Sequence, residues 1–141
     1  MTLKKSDKVA KLVETHGHAG GYNPHYTGYF NCFNQQLYYE AHDVLEALWL
    51  KDRRSPEAAF YQGLIQVAGG FVHLQKERLA PASRLFALAL KNLAPYPSLY
   101  AGLDLEGVRQ LCRHQREALE VGEFQKNPWS PEQAPILNLN H

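Results

Sequence analysis

The stretch from Phe60 to Gln75 carries no Asp, Glu, Lys or Arg, and no other feature constrains the fold as strongly. At about 100° per residue, Phe60, Leu64, Val67, Phe71 and Leu74 share one side of a helix. Tyr61, Ile65, Ala68 and Val72 fill the neighbouring side. The polar residues collapse onto one narrow stripe of Gln62, Gln66 and His73, with Gly69 between them. A helix at the surface shows charges on its solvent face. This one reads as buried on most sides, with its polar stripe aimed at something specific.

The preceding segment offers the partner. A helix is expected over residues 29–51, with Leu37, Ala41, Val44, Leu45 and Leu48 as a wide apolar face and Glu40, Asp43 and Ala47 facing solvent. Tyr38, His42, Glu46 and Trp49 occupy the remaining strip. His42 and Glu46 are four apart and stack along one face. That spacing chelates one cation in helical metal sites, and it equally makes a Glu–His hydrogen bond that fixes the imidazole tautomer. A metal needs a third protein ligand. His73 is the natural candidate, because Asp43 is expected to point to solvent. Gln62 and Gln66 are weak ligands but good hydrogen-bond donors around a site. Three readings stay open: a buried structural network, a metal or catalytic site, and an organic-ligand pocket rimmed by Tyr38 and Trp49. A buried Glu46 is costly without a partner in any of them.

The rest of the chain supplies a bundle. Ser55 as N-cap, Pro56 at the first helical position and Glu57 in the first turn start the charge-free helix, which runs to about residue 76. Gly63, Gly69 and Gly70 each cost about 1 kcal/mol of helix propensity against Ala, which points to a close helix–helix approach. A third helix is expected from Pro81 to about residue 93, stopped by Pro95 and Pro97. Residues 99–103 read as loop. A fourth helix, from about 104 to 121, ends at Gly122. The expected fold is all-α, a single domain with about four main helices. Residues 1–28 form an N-terminal arm or loop, 29–122 the helical domain and 123–141 an extended tail. Within the arm, Val9, Leu12 and Val13 allow one or two marginal turns. The stretch around His16, His18 and His25 reads as loop, with histidines more often solvated than ligating.

With 141 residues the chain is one ordinary domain. A formal charge of +1 argues against nucleic acid as partner, since phosphate neutralisation needs a basic excess. Lys4–Lys5 and Arg53–Arg54 read as ordinary surface pairs. Cys32 and Cys112 have no CxxC spacing and read as reduced core residues, which with the missing apolar leader points to the cytoplasm. No run of about 20 apolar residues is present, so no membrane span is expected. An extra apolar face is compatible with a homo-oligomer.

Two linked motifs carry a family resemblance. YYEAHDVLEALW, from Tyr38 to Trp49, resembles the signature YfEaHEvlEelW of the DUF309 family of small helical proteins. FYQGLIQVA, from Phe60 to Ala68, resembles that family's second signature, fyqGLIQlA. The segment from Ala82 to Leu93, with Pro95-Tyr-Pro97 and Gly102-Leu-Asp-Leu105 after it, is similar to a later part of the family. The resemblance implies a helical fold and metal-dependent hydrolase chemistry. The family's polar positions fall on Glu40, His42, Asp43, Glu46, Gln62 and Gln66, with Asp43 standing where Glu is commoner. The expected function is metal-assisted hydrolysis, in which a divalent ion lowers the pKa of bound water. Glu46 and His42 are its catalytic residues, and His42, Glu46 and His73 its metal ligands. Tyr38, Trp49, Gln62 and Gln66 line the binding site for a small molecule or protein partner. The alternative is a non-enzymatic helical binding or scaffold protein, in which the polar stripe is a structural network.

Overall fold

The computed structural model describes residues 4–17 and 21–140. Among them the chain forms six α-helices: α1 (Lys5–His16), α2 (Pro24–Asn34), α3 (Tyr38–Lys51), α4 (Ala58–Gln75), α5 (Leu79–Leu93) and α6 (Leu105–Val121). A short antiparallel hairpin, β1 (Leu99–Tyr100) and β2 (Leu103–Asp104), joins α5 to α6 in place of the expected loop. The fold is all-α in the broad sense, but the expected count of about four main helices is too low. His18 and the Ala19–Gly20 pair after it lie outside the described residues.

Both extra helices come from the N-terminal quarter. Residues 5–16 form three turns rather than one or two, because Val9 is buried against α2 and α3. Asn23 and Pro24 then start α2: the Asn23 side chain accepts a hydrogen bond from the His25 amide at 2.8 Å, and Pro24 occupies the first turn. The helix expected over 29–51 is therefore two helices, broken at residues 35–37, where Gln36 adopts φ 64°. The break re-aims the chain so that α2 and α3 pack on each other.

Helix α4 lies between α3 and α5 and meets the expectation for its charge-free sequence. Phe60, Leu64, Val67, Phe71 and Leu74 are all completely buried, each contributing about 1.5–3 kcal/mol by leaving water. Its start is later than expected: Ser55–Glu57 form a turn, Glu57 is the N-cap, and no side chain caps the first turn. The glycines explain the close approach to α5. A Cβ on Gly63 would sit 2.6 Å from Leu93 Cδ2, and one on Gly70 would sit 2.5 Å from the Phe86 ring. An aromatic chain crosses the core, with Phe33–Tyr38, Tyr38–Phe71 and Phe71–Phe86 centroids 5.0, 5.2 and 5.2 Å apart. Cys32 and Cys112 are free and buried, and burial pushes both thiols up to about 12.

Arg109 of α6 is buried and closes the C-terminus of α5. Its guanidinium donates to the carbonyl of Leu93, the last residue of α5, and to that of Tyr96 just beyond it, at 3.0 and 3.1 Å. The C-terminal segment is extended apart from a 3-10 turn at Pro131–Gln133, and it lies across the bundle. The Trp129 indole donates to the Tyr38 hydroxyl at 3.1 Å, and the Asn127 amide to the Leu74 carbonyl at 2.6 Å. Asn34 holds the backbone of Leu137 at both its N–H and its C=O.

Candidate functional site

Helix α3 brings His42, Asp43 and Glu46 together on its partly exposed side. Positions 42 and 46 are one turn apart, and 43 and 46 are three apart, so all three side chains converge. His42 Nδ1 is 3.1 Å from Asp43 Oδ1, and His42 Nε2 is 3.8 Å from Glu46 Oε2. One ligating atom from each of the three lies within 4.8 Å of the others. The side chains are only 16–30% exposed, so the charges sit in a partly desolvated setting.

Helix α1 completes the cluster. Lys5 reaches across from it and donates to Glu46 Oε1 at 2.6 Å, with its ammonium 3.5 Å from Asp43 Oδ1. The hydrogen bond to Glu46 is the main cause that holds the Lys5 ammonium above its ordinary pKa, with Asp43 adding to it. Lys5 thus balances charge where two carboxylates and an imidazole meet.

Three clefts open around this cluster. One of about 560 Å³ runs between Lys8 and Lys11 of α1 and Tyr39 and Glu40 of α3. A second, about 570 Å³, has an apolar wall of Val9, Ala10, Val13, Ala47 and Leu50, with Asp43 and Glu46 at its edge. A third, about 300 Å³, joins His42 and Tyr39 to Gln66 and His73 of α4 and to Lys76 and Arg78 beyond it.

The polar stripes of α3 and α4 face each other across the third cleft, where His42, Gln66 and His73 share the lining, and among the described residues no hydrogen bond joins them. Gln66 accepts from the Asn92 amide of α5 at 2.8 Å. His73 shares the third cleft with His42, but it is outside the convergent trio, and its Nδ1 is buried without a partner. Gln62 is half-buried on α4 and lines none of the three clefts. Tyr38 is completely buried in the aromatic core, and Trp49 lies under the Arg53 guanidinium at 5.7 Å. Neither lines any of these three clefts. In the N-terminal region, His25 Nδ1 contacts the Val44 carbonyl at 3.0 Å, and His16 pairs with Gln35.

Two residues of the cluster lie outside the expected ligand set. The helical wheel of α3 puts Asp43 towards solvent, yet its side chain is only 16% exposed and Lys5 of α1 lies against it. The i,i+3 spacing to Glu46 was the available signal. Lys5 had none, since its partner is 41 positions away and depends on how α1 docks.

Comparison with known proteins agrees with the two motifs. Residues 26–85 match the family model described as domain of unknown function DUF309. Among curated proteins, the uncharacterized protein YpuF of Bacillus subtilis (strain 168) is 32% identical over 74 residues, which covers 52% of this chain and 42% of that protein. The chain therefore matches less than half the length of that relative. No solved structure gives a significant match. The matched segment runs from α2 into α5 and holds His42, Asp43 and Glu46, so these three residues lie in the part of the chain that is similar to the DUF309 family.

Proposed function

We propose that this protein binds a divalent cation on His42, Asp43 and Glu46 and acts as a metal-assisted hydrolase. The observation that carries this reading is the convergence of one nitrogen and two carboxylate oxygens within 4.8 Å on a single helix face. Imidazole and carboxylate suit zinc, iron or manganese, and three protein ligands leave coordination positions for water and substrate. A divalent ion bound there would supply Lewis acidity, polarising a substrate and lowering the pKa of water. Within the chain, Glu46 is the general base candidate, and Lys5 is the residue an incoming cation must displace from the carboxylates. His73 is not assigned as a ligand in this reading.

The Lys5 contacts support a second reading, in which the same four residues form an ion-pair cluster that fastens α1 to α3. Exposed pairs of this kind contribute about 0–1 kcal/mol, so the role would be docking rather than overall stability.

Elemental analysis of tag-free protein, run beside His42→Ala and Lys5→Ala, separates the two. Under the metal reading the parent takes up close to one equivalent of divalent metal, His42→Ala loses it, and Lys5→Ala binds it at least as tightly. A parent that takes up no metal, with α1 loosened in Lys5→Ala, leaves the ion-pair cluster as the role of these residues.

A further inference from the structure

The third cleft carries a feature the metal reading does not use. Lys76 and Arg78 lie in its wall together with His42 and His73, and no carboxylate lines it among the described residues. Among the described residues, neither Lys76 nor Arg78 forms a salt bridge, and neither does nearby Arg84. Lys76 and His73 at the end of α4 complement that helix's negative terminus. That accounts for a cation on α4, but not for Arg78 beyond it. The turn after α4 fixes Arg78 relative to His73, because the Arg78 amide donates to the His73 carbonyl at 2.8 Å. Since Nδ1 of His73 is buried and unpartnered, Nε2 is the ring nitrogen left to meet a ligand. Tyr39 closes one side, with its ring 6.1 Å from that of His42 and 5.9 Å from the Lys76 ammonium.

We infer that this cleft between α3, α4 and the start of α5 binds the phosphoryl group of a small molecule, held by Lys76, Arg78 and His73 Nε2. Two cations with no carboxylate partner among the described residues and a neutral ring donor match a dianion better than a single carboxylate. At about 300 Å³ the cleft admits a small metabolite rather than a polymer. The rival cleft beside Lys8 and Lys11 fits an anion less well. Glu40 and Asp43 stand in its wall, and Lys5 is already held by Glu46. The inference stands apart from the metal reading, because only His42 is common to both sites. Where both hold, His42 is the residue that belongs to both sites.

The test is run on the full chain stripped of metal by chelation, so that a failure of metal binding does not affect it. Inorganic phosphate is titrated at constant ionic strength, while nitrogen-detected NMR follows the His73 ring and calorimetry reads affinity. Phosphate is expected to shift His73 Nε2 saturably. Arg78→Gln and Lys76→Gln should each weaken binding about tenfold, the loss of one charge-assisted contact, while Lys8→Gln leaves it unchanged. No saturable shift, a shift that survives both substitutions, or one lost in Lys8→Gln would overturn the assignment. So would acetate binding as tightly as phosphate, which would make the site a carboxylate site.

Discussion

His73 shows how one side chain ties stability to pH. Burial is the first cause that holds its pKa below the ordinary 6.5, and Arg78, Lys76 and Arg84 add to it. His42 faces it from α3 across the same cleft, and no carboxylate there offsets these charges. The unfolded chain therefore binds a proton at a pH where the folded chain does not, and stability must fall as pH drops through and below 6.5. Denaturant midpoints measured between neutral and mildly acidic pH should show this fall, and His73→Gln should flatten it by up to one proton's worth of slope. Gly70 makes a sharper case. A methyl there meets the ring of Phe86, which is completely buried. Gly70→Ala gains about 1 kcal/mol of helix propensity but incurs overpacking of about 1–3 kcal/mol. Urea unfolding should read a net loss of up to about 2 kcal/mol. The small size needed at Gly63 and Gly70 was legible in the sequence, since glycines in a buried helix imply a close neighbour. Lys5 and Asp43 were not, because a wheel drawn for α3 alone cannot include α1 lying over it.

At the scale of elements, the chain ends helices in a way that hides the ends from a sequence reading. After α2 the amide of Gln36 bonds the Phe33 carbonyl and that of Leu37 bonds Cys32, the paired pattern of a Schellman cap. The same pairing follows α4, with Glu77 to Leu74 and Arg78 to His73, and α6, with Glu123 to Glu120 and Phe124 to Leu119. The left-handed residue is usually glycine; here it is Gln36, Glu77 and Glu123, at φ 64°, 59° and 52°. With no glycine or proline between Phe33 and Tyr38, the α2–α3 break left no signal, and two helices read as one. By contrast, Asn23-Pro24 was a legible start, passed over because the glycines around it suggested loop. At α6 the sequence pointed to Gly122 as the stop, but Gly122 keeps φ −80° and the strain falls on the exposed Glu123. Glu123→Gly should therefore relieve the left-handed strain and raise stability by about 0.5–1 kcal/mol. Thermal unfolding of the variant beside the parent checks this, and an unchanged midpoint would mean the cap carries no strain.

At the scale of the whole molecule, the legible part was the order of packing and the hidden part was its closure. Periodicity predicts α4 as the buried centre because its own sequence leaves no solvent face. Nothing local announces how the C-terminal segment closes over the bundle, since its apolar contacts through Trp129, Leu137 and Leu139 and its hydrogen bonds reach residues far back along the chain. Asn34 carries two of these bonds, to the N–H and C=O of Leu137 at 2.8 Å each. Trp129 and Asn127 make two more, to Tyr38 and Leu74, residues of the central aromatic and aliphatic core. The tail thus meets the first residue of α3, the helix that presents His42, Asp43 and Glu46. Asn34→Ala leaves both backbone groups of Leu137 without their partner, and each net hydrogen bond contributes about 0.5–1.5 kcal/mol. A global loss of about 1–3 kcal/mol is expected, together with faster amide exchange over residues 134–140. If exchange rises there but the amides of α3 stay protected, the tail is a cover that opens independently of the site. If α3 exchange rises in step, tail and site helix unfold as one cooperative unit, and changes far along the chain would then be felt at His42.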